Sequence, residues 1–209
     1  MKTLRIFGIM LISVLLFSFT NKDKLSSYLE ELKRCETTTQ YFELAEQFGA
    51  IQVPGNQDWY PDYYAAYSYT LSAFAEKDYS KIDEKLDLAQ QYIDKAQQIS
   101  PKNDEILCVA SMIYSARIMV NPQERGYKYG QKSGILLEKA LLLNSDNPRT
   151  LFLIGQSKMY MPVNYGGGCE NAKPILEKSL EKFESFEKPH VNYPDWGKEE
   201  AQELLNNCS

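Results

Sequence analysis

Histidine occurs once in 209 residues, as His190, and that scarcity removes most of the chemistry that imidazole supports. A zinc site built on paired histidines, or a nucleophile activated by a histidine base, has at most this one candidate, which sits in the loop "KPHVNYPDWG". The four cysteines form no CxxC, and neither GxSxG nor HExxH occurs. Carboxylates are plentiful, but "EKLD", "EKSLEKFE" and "GKEEAQE" carry them in the mixed-charge patterns of solvated helix faces. The reading is therefore a binding protein without catalytic residues, metal ligands or cofactor. Clustered positive charge is lacking as well. With 23 Lys and Arg against 28 Asp and Glu the net charge is −5, which argues against nucleic acid, whose phosphates require grouped cations.

Strand-type alternation is also missing, and the composition, 44% hydrophobic and 24% charged, carries no bias toward disorder. What the chain does have begins with "MKTLRIFGIMLISVLLFSFTNKDK", where Lys2 and Arg5 precede an apolar run from Ile6 to Phe19. This resembles a secretory signal, so residues 1–20 are expected to be removed and 21–209 to form one exported domain, periplasmic or secreted and not integral to a membrane. Cys35, Cys108, Cys169 and Cys208 all lie beyond that segment, an even number that an oxidising compartment could pair in three ways.

Downstream, apolar residues recur at helical spacing between Pro, Asn, Asp and Gly. Leu25, Tyr28, Leu29 and Leu32 mark a first helix. Phe42, Leu44, Ala45 and Phe48 mark a second that ends near "VPGN". A third runs through "YPDYYAAYSYTLSAFAEK" and a fourth through "KIDEKLDLAQQYIDKAQQI", stopped at Ser100-Pro101. The fourth repeats: Ala89, Ile93, Ala96 and Ile99 are followed by Ser133, Leu137, Ala140 and Leu143, then by Ala172, Leu176 and Ser179. In the helices before them, Ala66, Ala110 and Gly155 keep the same register, small residues where paired helices approach closely. Such periods predict stacked helix hairpins.

"LEKALLLNSDNPRTLFLIGQ" and "IDKAQQISPKNDEILCVASMIY" resemble junctions between tetratricopeptide repeats, with Ala140 and Gly155 at the family's small positions and Pro101 at its proline position. The resemblance implies an all-α, right-handed helical-hairpin solenoid of about three long hairpins, with an extra helix at either end. It also implies a protein or peptide partner held along a concave surface. Registering the repeats places Tyr63, Leu107 and Phe152 at one lining position and Tyr67, Ser111 and Gln156 one turn on, with Tyr114 beyond and Arg149 as the nearby cation. The family's carboxylate clamp, built of Lys and Asn, is absent there, so an apolar or aromatic segment is expected in preference to an acidic tail.

"DWYPDYYAAYSY" supports a second reading, in which a small ligand such as a glycan or lipid fragment stacks on the aromatics from Trp59 to Tyr69. "VNPQERGYKYGQKSG", with Asn121-Pro122 ending a helix, gathers Arg125, Tyr127, Lys128, Tyr129 and Lys132. It reads either as a polar helix start, with Arg125 tied to a neighbouring carbonyl, or as a rim contact for an anionic or aromatic partner.

Two features concern the end of the chain. Gly166-Gly167-Gly168 lacks the preceding strand and following Lys-Ser/Thr of a phosphate loop, so it reads as a turn between two helices. The last two helices, antiparallel and joined by "KPHVNYPDWG" with Asp195 as expected N-cap, bring Cys169 beside Cys208, and these two are expected to bond; Cys35 and Cys108 stay open.

Overall fold

The computed structural model describes residues 24–53, 55 and 57–208, so the expected signal segment 1–20 lies outside the described residues. Among the described residues there are nine α-helices and no strands. They are α1 (residues 24–32), α2 (Thr38–Gly49), α3 (Tyr60–Phe74), α4 (Ile82–Ile99), α5 (Asp104–Ile118), α6 (Pro122–Leu143), α7 (Pro148–Tyr160), α8 (Cys169–Glu184) and α9 (Lys198–Asn206). No described helix is long and apolar enough to cross a membrane.

Short polar side chains start α2, α5, α6 and α7 by taking up backbone donors that the first turn leaves unpaired. Asn103 Oδ1 accepts from the amides of Glu105 and Ile106, and Asn147 Oδ1 from those of Arg149 and Thr150. Asn121 Oδ1 accepts from the Glu124 amide, and Pro122 fills the first helical position, where a missing N–H does no harm. Asn121-Pro122 thus opens α6 and does not close α5, which ends three residues earlier. Thr37 and Gln40 cap α2 reciprocally.

The chain divides into two compact units, one running to Ser100 and the other from Pro101. In the first, α3 packs against both α2 and α4. Ile82, Leu86, Ala89, Ile93 and Ala96 recur every three or four residues along α4 and are all buried. Burying each branched side chain stabilises the unit by about 1.5–3 kcal/mol. Phe48 stacks on Tyr64 with ring centroids 5.4 Å apart, and Tyr28 meets its edge at 5.7 Å. Tyr92 lies where a side chain on Gly49 would stand. Thr38 Oγ1 donates to the Ser72 carbonyl and Ser72 Oγ to the Thr38 carbonyl, both at 2.8 Å, locking α2 to α3.

In the second unit α5 pairs with α6, α7 pairs with α8, and α9 packs on α8 and α7. The repeated positions are buried in both long helices, as Ser133, Leu137 and Ala140 of α6 and as Ala172, Leu176 and Ser179 of α8. Leu143 departs from that pattern and is exposed, because α6 ends there. Gly155 brings α7 within contact of Leu176, whose side chain fills the space a Cβ would need. The chain passes from α7 to α8 through Gly166 and Gly168, both at positive φ, while a side chain on Gly167 would strike the Met161 carbonyl. The amides of Gly166, Gly167 and Gly168 donate to the carbonyls of Val163, Pro162 and Lys158, which spends on the turn the donors a phosphate would use.

Cys169, the first residue of α8, is disulfide-bonded to Cys208 just past α9, with Cα atoms 5.4 Å apart. The closing helix starts at Gly197 rather than at Asp195: the Gly197 amide donates to Glu200, and Asp195 instead pairs with Lys188 at 2.9 Å. Cys35 and Cys108 are buried free thiols.

Candidate functional site

Three groups of side chains stand out, one in the first unit and two in the second. On α3, Trp59 meets the edge of Tyr63 at 5.2 Å, and Tyr63 stacks on Tyr67 at 6.4 Å with the rings 13° apart. Both tyrosines are buried, so the aromatic file is part of the core surface of α3. Farther along, Tyr69 stacks on Tyr92 of α4, and burial, with Tyr92 and Glu46 nearby, pushes its hydroxyl up to about 12.

The other six expected lining residues all belong to the second unit. Leu107, Ser111, Arg149 and Phe152 are buried, while Tyr114 and Gln156 are half-buried. Ser111 Oγ donates to the Cys108 carbonyl, and Phe152 meets Trp196 edge-on at 6.4 Å. The Cys108 thiol lies 3.2 Å from Thr150 Oγ1, and burial pushes it well up. Arg149 is only 1% exposed and forms a fork with the fully buried Glu105, Nε and Nη2 each donating at 2.7 Å. Asn147 Nδ2 donates to the same carboxylate, and the guanidinium lies 4.6 Å from the centre of the Phe186 ring. Burial pushes the Glu105 carboxyl up, against the pull of Arg149. This fork ties α5 to α7.

The third group spans α5 and α6. Tyr114 of α5 stacks on Tyr129 of α6 with centroids 6.0 Å apart and planes 20° apart. Arg125, Lys128, Tyr129 and Lys132 share one face of α6 because they fall three or four residues apart. Lys132 Nζ lies 5.1 Å from the Tyr114 ring centre, Lys128 Nζ 5.3 Å from that of Tyr129, and the Arg125 guanidinium 5.9 Å from the same ring. Arg125 also donates to the Arg117 carbonyl at 3.4 Å, the helix-start role expected of it. Lys128 and Lys132 are exposed and pair with no carboxylate among the described residues. Two lysines held over ring faces, in a chain with surplus acid, leave their charge directed outward. Nearby on the same helix, Ile135 is 51% exposed and Tyr127 80% exposed.

The fold and these groups can be set beside known proteins. The HusA haemophore from Porphyromonas gingivalis is similar over 90% of this chain and 92% of its own, at 35% sequence identity and a TM-score of 0.81. The chain belongs to that haemophore's family. No family model and no curated protein matches it.

Sequence reasoning passed over Glu105, though a signal for it exists. Glu105 and Arg149 stand 44 residues apart, as do the caps Asn103 and Asn147, so opposite charges occupy one register position in successive repeats. No group of three or more His, Cys, Asp or Glu side chains among the described residues could hold a metal ion.

Proposed function

We propose that this protein is an exported binder of a haem-type tetrapyrrole, a carrier and not an enzyme. The observation that carries this reading is its likeness to a haemophore at 35% identity over nearly the whole of both chains. Similarity of that extent reaches side chains as well as backbone. It favours the small-ligand reading of the sequence over the peptide-interaction one, with a tetrapyrrole in place of a glycan or lipid fragment. Paired helical hairpins stacked in the tetratricopeptide manner would serve as the scaffold. The bonded Cys169–Cys208 pair and the signal-like N-terminus both suit a carrier that works outside the cytoplasm.

Haem asks two things of a protein: apolar or aromatic surface for its flat macrocycle, and cations for the two propionates at one edge. This chain supplies 15 tyrosines and, on α6, cations held beside aromatic rings. Adding haemin to the purified chain beginning at Asn21, under non-reducing conditions, should shift and sharpen the Soret band saturably at about one equivalent. A spectrum that stays that of free haemin would overturn the proposal.

A further inference from the structure

We infer that the carboxylate edge of the tetrapyrrole docks on the α5–α6 face, on Lys128 and Lys132 with Arg125 beside them, and that the macrocycle lies along the exposed flank of α6 toward Ile135. The inference rests on the tetrapyrrole reading and assigns a site to it. Charge complementarity selects the occupant: three cations crowd one face of a chain whose net charge is −5, and among the described residues neither lysine forms a close ion pair, although Glu124 lies one turn before Lys128. Each cation is instead held within 6 Å of a tyrosine ring centre, the distance at which ring quadrupoles offset the mutual repulsion of like charges. The stacked Tyr114 and Tyr129 rings thus pre-position ammonium groups that would otherwise swing apart. Ile135 follows Lys132 by three residues and Lys128 by seven, so it lies along the same side of α6, about 10 Å along the axis from Lys128. A molecule with two carboxylates at one edge and an apolar plane behind them matches that sequence of charge, then apolar surface. A charged sugar or a fully polar anion would leave Ile135, more than half exposed, uncovered.

The test compares haemin with haem dimethyl ester, whose propionates carry no charge, on the wild-type chain and on the double variant Lys128→Gln/Lys132→Gln. Lys173→Gln/Lys178→Gln, which removes two exposed lysines from α8, is the control for charge alone. Wild type should bind haemin at least tenfold tighter than the ester. The α6 variant should lose that preference, binding haemin at least tenfold more weakly with unchanged far-UV circular dichroism, while the α8 control keeps wild-type affinity. Equal binding of haemin by wild type and the α6 variant would overturn the site and leave the tetrapyrrole reading standing. The same holds if wild type fails to distinguish ester from acid. Failure of wild type to take up either form would overturn both.

Discussion

Replacing Glu105 with glutamine should be among the most damaging single changes in this protein, and replacing its partner Arg149 should be less so. The two side chains are 0% and 1% exposed and share two hydrogen bonds of 2.7 Å. Truncating one member of such a buried pair costs about 3–5 kcal/mol, because the other charge is left without its counterion in a medium that solvates it poorly. The asymmetry follows from proton chemistry. A guanidinium cannot shed its charge, so Glu105→Gln strands a cation beneath Phe186. A carboxyl can accept a proton, and burial already pushes Glu105 in that direction, so in Arg149→Met it becomes neutral at a loss of about 1–3 kcal/mol. Its folded-state pKa then lies above the unfolded value, so stability is retained at low pH and declines as pH rises through the raised value. With Glu105→Leu and Arg149→Met as the two single changes, the double variant Glu105→Leu/Arg149→Met should recover much of the loss and give a coupling energy of about 2–3 kcal/mol. Urea unfolding followed by far-UV circular dichroism provides all four corners of the cycle. Strictly additive losses would refute the pairing argument. A stable Arg149→Met protein that no longer takes up haemin would show that the guanidinium serves the ligand rather than the fold.

Reducing the Cys169–Cys208 bond, which joins residues 39 apart, should lower stability by about 4 kcal/mol in the chain-entropy model; an identical urea midpoint with and without reductant would contradict this. Gly126, Gly130 and Gly134 lie inside α6, and an added Cβ at any of them meets nothing within 4 Å. Each Gly→Ala change should therefore stabilise the helix by about 0.8–1 kcal/mol, read as a higher melting temperature, whereas a loss would mean that face is covered. The Tyr69 hydroxyl, pushed up to about 12, keeps its proton in the fold when an unfolded tyrosine would lose it near 10. The Tyr69 contribution to stability should be intact below pH 10 and be lost as pH rises toward 12, so Tyr69→Phe should lessen the decline over that interval.

Helix positions were legible where their punctuation is chemical: Asn103 and Asn147 each stand where a side chain accepts first-turn amides, and Pro148 suits a helix start, whereas Asn121-Pro122, expected to end a helix, instead opens α6. The glycine turn was legible for the same kind of reason. The α3 tyrosines were harder to place. That helix is apolar nearly all round, so a 3.6-residue period gives no outward face, and Tyr63, Tyr64, Tyr67 and Tyr69 are all buried. Asp195 was misplaced as a cap because Gly197, at a φ of 99°, permits a start two residues later. The haem reading could not be drawn from residues alone, since nothing in a tyrosine-rich helix distinguishes a macrocycle from a sugar ring. The proposal of a tetrapyrrole rests on likeness to a whole chain, at 35% identity.

The Cys169–Cys208 bond also changes what a cut in the backbone does. Between α8 and α9 the chain crosses an exposed stretch at residues 187–191, an accessible site for an endoprotease of broad specificity. Because both flanking helices lie inside the covalent ring closed at 169 and 208, hydrolysis there opens the ring without dividing the molecule. A nicked chain would migrate as one species until reduced and as two fragments afterwards. Where proteases reach the chain, wear of that loop would leave α9 attached to the hairpin it covers.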